Sequence, residues 1–316
     1  MADYDELTIK MLEEDRDSFV SRGGLDIVDF VSRKHSRIEG FSDYAGEYYK
    51  KPEYFRMGTD FVYKKKQMAG ELPAEVILAH AYNQLGIPSP IAYPYFMKTY
   101  IPVGERYKPL KDMFIIPDGV VTKDVVQIFP TAVKRSDDAC HTIHGLFTDE
   151  ECLKNTTQRG RIARIKETIA SIAFNNKDAG YDNSFWVRDS KGMYDGVVSI
   201  DHGYSGRDSM YIPSYLEYMK VLYSKGEHGY NGMFEVEEDR GTTIYYLRQL
   251  LDGKAVAGVQ LSREEIAELN HFIKEIKALD FNKIKKDFCD RFKYDCSYAF
   301  MRGLEWSRED LCENLL

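Results

Sequence analysis

The chain has 316 residues, of which 43% are hydrophobic and 30% charged, which excludes collagen-like and wholly disordered proteins. Its 51 acidic and 43 basic residues give a formal net charge of −8. This charge argues against general nucleic-acid binding, because such proteins neutralise phosphates with surplus cations. With no apolar run of about eighteen residues and an acidic N-terminus, we expect neither a membrane-spanning helix nor a targeting peptide. Five cysteines without C-x-x-C spacing are interpreted as free thiols, which favours a cytoplasmic protein.

The first part of the chain predicts strands around one helix. Residues 59–66 (TDFVYKKK) are rich in β-forming side chains. Residues 71–85 carry apolar side chains at helical spacing, and Gly86 and Pro88 end this helix. The remaining predicted elements here are a strand over 91–102, a turn at 117–119 and a strand over 119–129.

Helical periodicity prevails from about Thr148 onward. Residues 149–176 contain a long amphipathic segment, and the last helix opens with Ser262 and Glu265 at the spacing of a capping box. Between them, apolar runs flank a polar Ser-Lys-Gly turn, which predicts a β-hairpin over 184–200. This layout predicts an α+β protein with a smaller mixed N-terminal lobe and a larger, mainly helical C-terminal lobe. The expected boundaries are an extension over 1–24, the N-lobe over 25–135 and the C-lobe over 136–316.

Three polar residues around the hairpin suggest chemistry. Asp178 and Asn183 lie in the loop before it, and Asp201 follows its second strand. A loop carboxylate can orient or deprotonate an attacking hydroxyl, whereas an amide oxygen and a second carboxylate suit Mg²⁺, which prefers oxygen ligands. The arrangement therefore suits phosphoryl transfer from a nucleoside triphosphate, with Asp178 acting on the hydroxyl and Asn183 and Asp201 holding the metal.

The segment NKDAGYDN, followed by IDHG, resembles signatures of two kinase-like families. It is similar to the D-R-G-x-D-N-W and I-D-N-G motifs of type II phosphatidylinositol 4-kinases, with Ala179 departing. It also resembles the N-x-D-R-H-x-x-N motif of bacterial HipA-like serine/threonine kinases, including CtkA-type members, where Ala179 and Gly180 replace Arg-His. Both resemblances imply a bilobal protein-kinase-like fold with ATP and Mg²⁺ as cofactors.

In the N-terminal part, the resemblance favours the HipA-like families. The sequence FVYKKK resembles their Y-M-x-K strand, whose lysine holds the nucleotide α- and β-phosphates, and this implies that role for Lys64. Lys66 is the alternative, because alternation along a strand points Lys65 to the opposite face. The helix after this strand resembles the one that carries the lysine's ion-pair partner, which implies that role for Glu75, with Glu71 as competitor.

Gly40, Ser42 and Gly46 precede the lysine strand and form a candidate phosphate loop. Backbone amides of such a loop can cradle phosphates. A plain surface loop is the competing interpretation.

Two more features have less direct interpretations. His202 follows the predicted metal ligand and is interpreted as a structural histidine, because the base and metal roles are already assigned. The arginines at 159, 161 and 164 are interpreted as a solvated helix face, with attraction of an anionic substrate as the alternative.

The leading hypothesis is an ATP- and Mg²⁺-dependent serine/threonine protein kinase of HipA-like type, whose acceptor is another protein or the kinase itself. A phosphoinositide kinase is less favoured, because the chain has neither a polybasic stretch nor a lipidation motif for stable membrane insertion. Two hypotheses compete with both kinases: a nucleotide-binding pseudokinase or scaffold, and an enzyme that transfers AMP instead of phosphate.

Overall fold

The fold was analysed in a computed structural model of the chain. The structure describes residues 54–57, 61–65, 71–98, 115–123, 125–133, 143–176, 183–203, 205, 240–292 and 298–316. Helices and antiparallel sheets both occur in these residues, in agreement with the predicted α+β class. The division into two lobes and its boundaries stay predictions.

One sheet has four antiparallel strands in the order β1-β2-β4-β3. The predicted strand over 59–66 is confirmed as β2, and the backbone register pairs its Lys64 with Val120 and its Lys65 with Gly119. The four strands are β1 (Tyr54–Met57), β2 (Phe61–Lys65), β3 (Ala92–Lys98) and β4 (Ile115–Lys123).

Two expectations about this sheet are wrong. The predicted turn at 117–119 lies inside β4, where the pairing with β3 shifts register between Tyr95 and Phe96. Such an irregularity lets turn-forming residues stay within a sheet. The strand expected over 119–129 ends at Lys123 and is followed by a short helix, α2 (Val125–Ile128).

The predicted helix over 71–85 is confirmed as α1 (Glu71–Gln84). Gly86 follows it with a φ of 72°, a left-handed conformation that glycine adopts without steric cost, which explains the end of the helix. The helix contacts β3 and β4, and its Ala74 and Ile77 share a hydrophobic cluster with Val120 of β4. The helix therefore covers the sheet face on which Val120 lies.

The second sheet contains the predicted hairpin. Its strands are β5 (Ala132–Val133), β6 (Ser184–Arg188) and β7 (Tyr194–Ser199), all antiparallel in that order. Both faces of the hairpin are buried near Asn183. Trp186 and Val197 belong to the main hydrophobic cluster, whereas Phe185 and Val198 belong to a smaller one with Val125 and Ala132.

The range 149–176, in which a long amphipathic segment is predicted, contains a short and a long helix separated by Thr156 and Thr157. Thr157 is extended, and its side chain accepts a hydrogen bond from the backbone N–H of Gly160, so it caps the second helix. The capping box of Ser262 and Glu265 is confirmed. The helices after α2 are α3 (Ile143–Thr148), α4 (Glu150–Asn155), α5 (Gln158–Ala173), α6 (Arg240–Leu251), α7 (Arg263–Ala278), α8 (Phe281–Phe292) and α9 (Tyr298–Leu315).

The start of α5 lies very close to β7. The backbone N–H of Thr157 donates to the carbonyl oxygen of Tyr194 at 2.9 Å. A Cβ atom at Gly160 would lie 2.2 Å from that same oxygen, inside the contact distance of any real side chain. Glycine at this position therefore permits the helix to dock on the hairpin.

The cysteines differ in their bonding. Cys289 and Cys312 are free, but Cys152 is disulfide-bonded, so the expectation of five free thiols is wrong for Cys152.

Among the described residues, no helix combines the length and the hydropathy that crossing a membrane requires.

Candidate functional site

The hairpin brings two of the predicted site residues to the same end. Ser184 and Ser199 form its last strand pair, and beyond them the N–H of Ile200 donates to the carbonyl oxygen of Asn183 at 2.9 Å. Asp201 is the next residue. Asn183 and Asp201 are 2% and 6% exposed, so both polar side chains are held within the protein at adjoining positions.

Asp201 has an unusual backbone conformation. Its φ of 55° lies in the left-handed region, which few residues other than glycine adopt and which aspartate and asparagine tolerate best. Such a conformation costs free energy, and the surrounding structure must hold it in place. The residue with this left-handed backbone is the one that is predicted from the sequence as a metal ligand.

Both ends of the segment that carries Asp178 are anchored beside Asp201. Asn176 forms an antiparallel bridge with Ser205, and Asn183 pairs with Ile200 as described above. Asp178 itself lies outside the described residues. The chain on either side of it nevertheless starts and ends against residues 200–205.

His202 is buried and well packed. Its ring is 1% exposed and stacks on Tyr82 of α1 at a centroid distance of 4.3 Å. Its Nε2 lies 3.0 Å from the hydroxyl of Ser89. These contacts are those of a histidine that fixes local structure, as the sequence analysis expected, and they connect the residue after Asp201 to α1.

The N-terminal candidates are described in part. Glu75 lies on α1 and is 5% exposed. Lys64 occupies the register position opposite Val120 in the backbone pairing of β2 with β4, and its side chain lies outside the described part of the structure. The side chain of Glu71 and the residues Lys66, Gly40, Ser42 and Gly46 lie outside the described residues.

Sequence analysis missed a buried polar network beneath the hairpin end, here termed the Glu167 cluster. A salt bridge of 2.9 Å joins Arg164 and Glu167 of α5, whose side chains are 4% and 2% exposed. The expectation that Arg164 lies on a solvated face is therefore wrong, whereas Arg159 is exposed and Arg161 is half-buried. The Glu167 cluster consists of Tyr82, Arg164, Glu167, Ser171, Ser184 and Ser199.

Hydroxyl groups from four elements belong to this cluster. Ser184 and Ser199 both donate to Glu167 Oε1, at 3.0 and 3.1 Å, and Arg164 donates to the Ser184 hydroxyl at 2.9 Å. The Tyr82 hydroxyl lies 2.9 Å from that of Ser171. Burial, and secondly the negative charge of Glu167, raise the pKa of Tyr82, so it remains a neutral phenol.

The sequence carried only a partial signal for this cluster. Arg164, Glu167 and Ser171 are spaced i, i+3 and i+7, which places them on one side of a helix. Ile165 and Ile169, both fully buried, lie on another side of the same helix. The pattern is therefore that of an ordinary amphipathic helix, and the burial of its polar side follows from packing against the hairpin.

A cavity of about 540 Å³ lies elsewhere on the hairpin. It is lined by residues of α5, of the connection after α1 and of the hairpin, among them Pro88, Ile162, Arg188 and Asp195. Asn183 and Asp201 are not among its lining residues. In the part of the chain that the structure describes, no three His, Cys, Asp or Glu side chains converge as a metal site would require.

The comparisons with known proteins are sparse. No protein-family model matches the sequence, and no curated protein matches it. Among solved structures, the chain is similar to the crystal structure of a Helicobacter pylori proinflammatory kinase, CtkA. The alignment has 12% identity, covers 83% of this chain and 90% of that chain, and has a TM-score of 0.42. A likeness at this level assigns neither a family nor a function.

Proposed function

We propose that this protein is an ATP- and Mg²⁺-dependent phosphotransferase with a protein-kinase-like catalytic site. The observation that carries the proposal is the pairing of Asn183 with Ile200, because it brings Asn183 and Asp201 to one end of the hairpin. The bridge between Ser205 and Asn176, two residues before Asp178, supports the inclusion of Asp178 in the proposed site. Metal ligands and a base for the acceptor hydroxyl are the groups that phosphoryl transfer needs together.

The donor set fits Mg²⁺. Asp201 offers carboxylate oxygens and Asn183 an amide oxygen, and hard cations of this kind bind oxygen ligands. When bound, the ion neutralises charge on the nucleotide phosphates. The left-handed backbone at Asp201 fixes the direction in which its carboxylate leaves the strand.

The remaining roles follow the chemistry of transfer. Asp178 accepts the proton of the acceptor hydroxyl, whose oxygen forms a bond to the γ-phosphorus as the bond to the β-phosphate oxygen breaks and ADP leaves. Lys64 contacts the α- and β-phosphates, and Glu75 holds its ammonium group. The burial of Glu75 on α1, the helix that contacts the β4 strand opposite Lys64, supports this pairing.

A serine or threonine of a protein is the proposed acceptor. A phosphoinositide acceptor would call for a surface that binds anionic membranes, and the net charge of −8 does not favour one. A nucleotide-binding scaffold is the second candidate, because Ala179 and Gly180 stand where the HipA-like motif has Arg-His.

Intact-mass spectrometry after incubation with Mg·ATP tests the proposal, with ADP release and thermal unfolding measured in parallel. A gain of about 80 Da indicates phosphate and one of about 329 Da indicates AMP, from the masses of the transferred groups. Asp178→Asn should abolish the gain and retain nucleotide binding, and Asp201→Asn should abolish the Mg²⁺ dependence of binding. Asp252→Asn, at an exposed helix end, is the matched control.

The outcomes separate the candidates. A mass gain or ADP release that both site variants abolish supports a phosphotransferase. Stabilisation by Mg·ATP without either reaction, even when serine- and threonine-containing peptides are supplied, favours the scaffold. If Mg·ATP neither binds nor reacts, the proposed function is wrong.

A further inference from the structure

We infer that the Glu167 cluster positions the metal-binding end of the hairpin, and that Arg164 and Glu167 are therefore positioning residues of the site. This inference rests on the proposed function. It concerns residues that lie beneath the site and that would touch neither nucleotide nor acceptor.

The cluster attaches to both strands of the hairpin. Ser184 directly follows Asn183, and Ser199 lies two residues before Asp201. Both hydroxyls donate to the same oxygen of Glu167. One carboxylate therefore holds both strands of the hairpin at the end from which the two predicted metal ligands leave.

The cluster also reaches the other site segments. The Tyr82 hydroxyl lies 2.9 Å from that of Ser171, whose carbonyl oxygen accepts a hydrogen bond from the backbone N–H of Asn176, two residues before Asp178. Tyr82 is on α1, the helix that carries Glu75. The cluster therefore includes side chains of the hairpin, of α1 and of the end of α5 that precedes the loop of Asp178.

The buried ion pair of Arg164 and Glu167 has a cost in desolvation free energy. Removing two charges from water is expensive, and apolar residues of similar size often give equal or greater stability. Packing alone therefore gives no reason for Arg164 and Glu167 in this place. A carboxylate can accept two hydroxyl hydrogen bonds on one oxygen, and a buried, fully connected network fixes a unique arrangement. Arg164 balances the charge of that carboxylate and donates to Ser184 as well.

The test is a Mg²⁺ titration of the full chain, monitored by binding of a fluorescent ATP analogue. Ser199→Ala removes the hydrogen bond to Glu167, Ser184→Ala removes its bonds to both Glu167 and Arg164, and Glu167→Gln removes the ion pair. We expect each to raise the half-saturating Mg²⁺ concentration, by about tenfold for Glu167→Gln, the scale on which groups that orient metal ligands act. Ser307→Ala, which removes a buried hydrogen bond to the carbonyl of Ile172, is the matched control and should leave it unchanged.

A double variant separates positioning from stability. Arg164→Met combined with Glu167→Leu replaces the ion pair by apolar side chains of similar size and leaves neither charge buried alone, so it should unfold at a higher temperature than Glu167→Leu. The half-saturating Mg²⁺ concentration should still rise, because the carboxylate that accepts from Ser184 and Ser199 is gone. A merely structural role predicts instead that the half-saturating Mg²⁺ concentration rises only in those variants whose melting temperature falls.

Each result decides between these roles. Raised Mg²⁺ requirements in the cluster variants, with Ser307→Ala unaffected, support the inference. Wild-type Mg²⁺ requirements in these variants overturn it and leave the proposed function intact. If the wild-type protein does not bind the ATP analogue with Mg²⁺ at all, the proposed function fails, and the inference fails with it.

Discussion

The backbone N–H of Ser199 donates a hydrogen bond of 3.0 Å to the carbonyl oxygen of Pro88. This bond attaches the chain just after α1 to the last residue of β7, two residues before Asp201. The next residue, Ser89, contacts the ring of His202. The helix that carries Glu75 and the strand that leads to Asp201 are therefore joined by consecutive contacts.

The assignment of the phosphate-binding lysine can be tested with neighbouring substitutions. Lys64 pairs with Val120, which packs with residues of α1, whereas Lys65 pairs with Gly119, and successive residues of a strand belong to opposite faces. We expect Lys64→Met to weaken ATP binding about ten- to hundredfold, the loss of one charged hydrogen bond of ~1.5–3 kcal/mol.

Lys65→Met is the matched control and should change ATP affinity less than about twofold, because a position on the opposite sheet face is distant from the phosphates. Isothermal titration with Mg·ATP measures both variants. An equal loss in the two would contradict the assignment. A loss confined to Lys66→Met would transfer the role to Lys66.

The contact between α5 and the hairpin predicts a large effect of one methyl group. In Gly160→Ala, the new Cβ would meet the carbonyl oxygen of Tyr194 at 2.2 Å, so helix and strand must separate. We expect the free energy of unfolding to fall by about 1–3 kcal/mol, as for other overpacked sites, although alanine normally favours a helix.

Urea denaturation measures this change. Gly196→Ala is the control, because its Cβ would meet Val187 at an ordinary 3.8 Å. Equal stability of Gly160→Ala and the wild-type protein would show that α5 does not dock as described.

The backbone at Asp201 predicts that two substitutions there will differ. Asparagine tolerates the left-handed region, so Asp201→Asn should fold with near wild-type stability and bind Mg²⁺ weakly. Asp201→Ala should lose metal binding and in addition about 1–2 kcal/mol of stability, the cost of holding alanine in this conformation.

Asn175→Ala provides the reference for that cost. Asn175 also has a left-handed φ, of 49°, and has no predicted role as a ligand. Thermal unfolding in the presence of EDTA compares the three variants without any contribution from bound metal. Equal stability of Asp201→Ala and Asp201→Asn would argue against the described backbone conformation.

His80 predicts a pH dependence of stability. Burial lowers the pKa of this histidine on α1, while the carboxylate of Asp287 acts in the opposite direction. Its Nε2 lies 2.9 Å from the side-chain amide of Gln84. Because the folded state binds a proton less readily than the unfolded state, stability should fall as the pH drops below the unfolded pKa of about 6.5.

His80→Gln should remove this part of the pH dependence, whereas His271→Gln, at an exposed position, should not. The measurement is the free energy of unfolding in urea between pH 5 and 8. For one group, the slope cannot exceed about 1.4 kcal/mol per pH unit. An unchanged difference between the wild-type protein and His80→Gln across this range would contradict the prediction.

The successful sequence predictions rest on patterns among residues that are close to one another in the chain. The capping box of Ser262 and Glu265 is confirmed because both partners lie within four residues. The hairpin is confirmed because two apolar runs flank a short polar turn. The pairing of Asn183 with Ile200 follows from the same hairpin register, so part of the site geometry could be inferred from sequence.

Features that depend on tertiary contacts could not be predicted in this way. Val125 to Ile128 has strand-forming residues but is helical, since packing against the hairpin outweighs local propensity. The break at Thr157 requires the contact with Tyr194 on a distant strand. The burial of Arg164 depends on hydroxyl groups from β6, about twenty residues further along the chain.

The burial of both faces of the hairpin has a consequence for its motions. Phe185 and Val198 belong to the smaller cluster and their neighbours Trp186 and Val197 to the main one, so exposing the amides of these strands to solvent requires opening both clusters. Their amide hydrogens should exchange with deuterium at rates close to the limit set by global unfolding, far more slowly than those of the turn at 190–192. We therefore expect the strands next to Asn183 and Asp201 to be formed before any ligand binds.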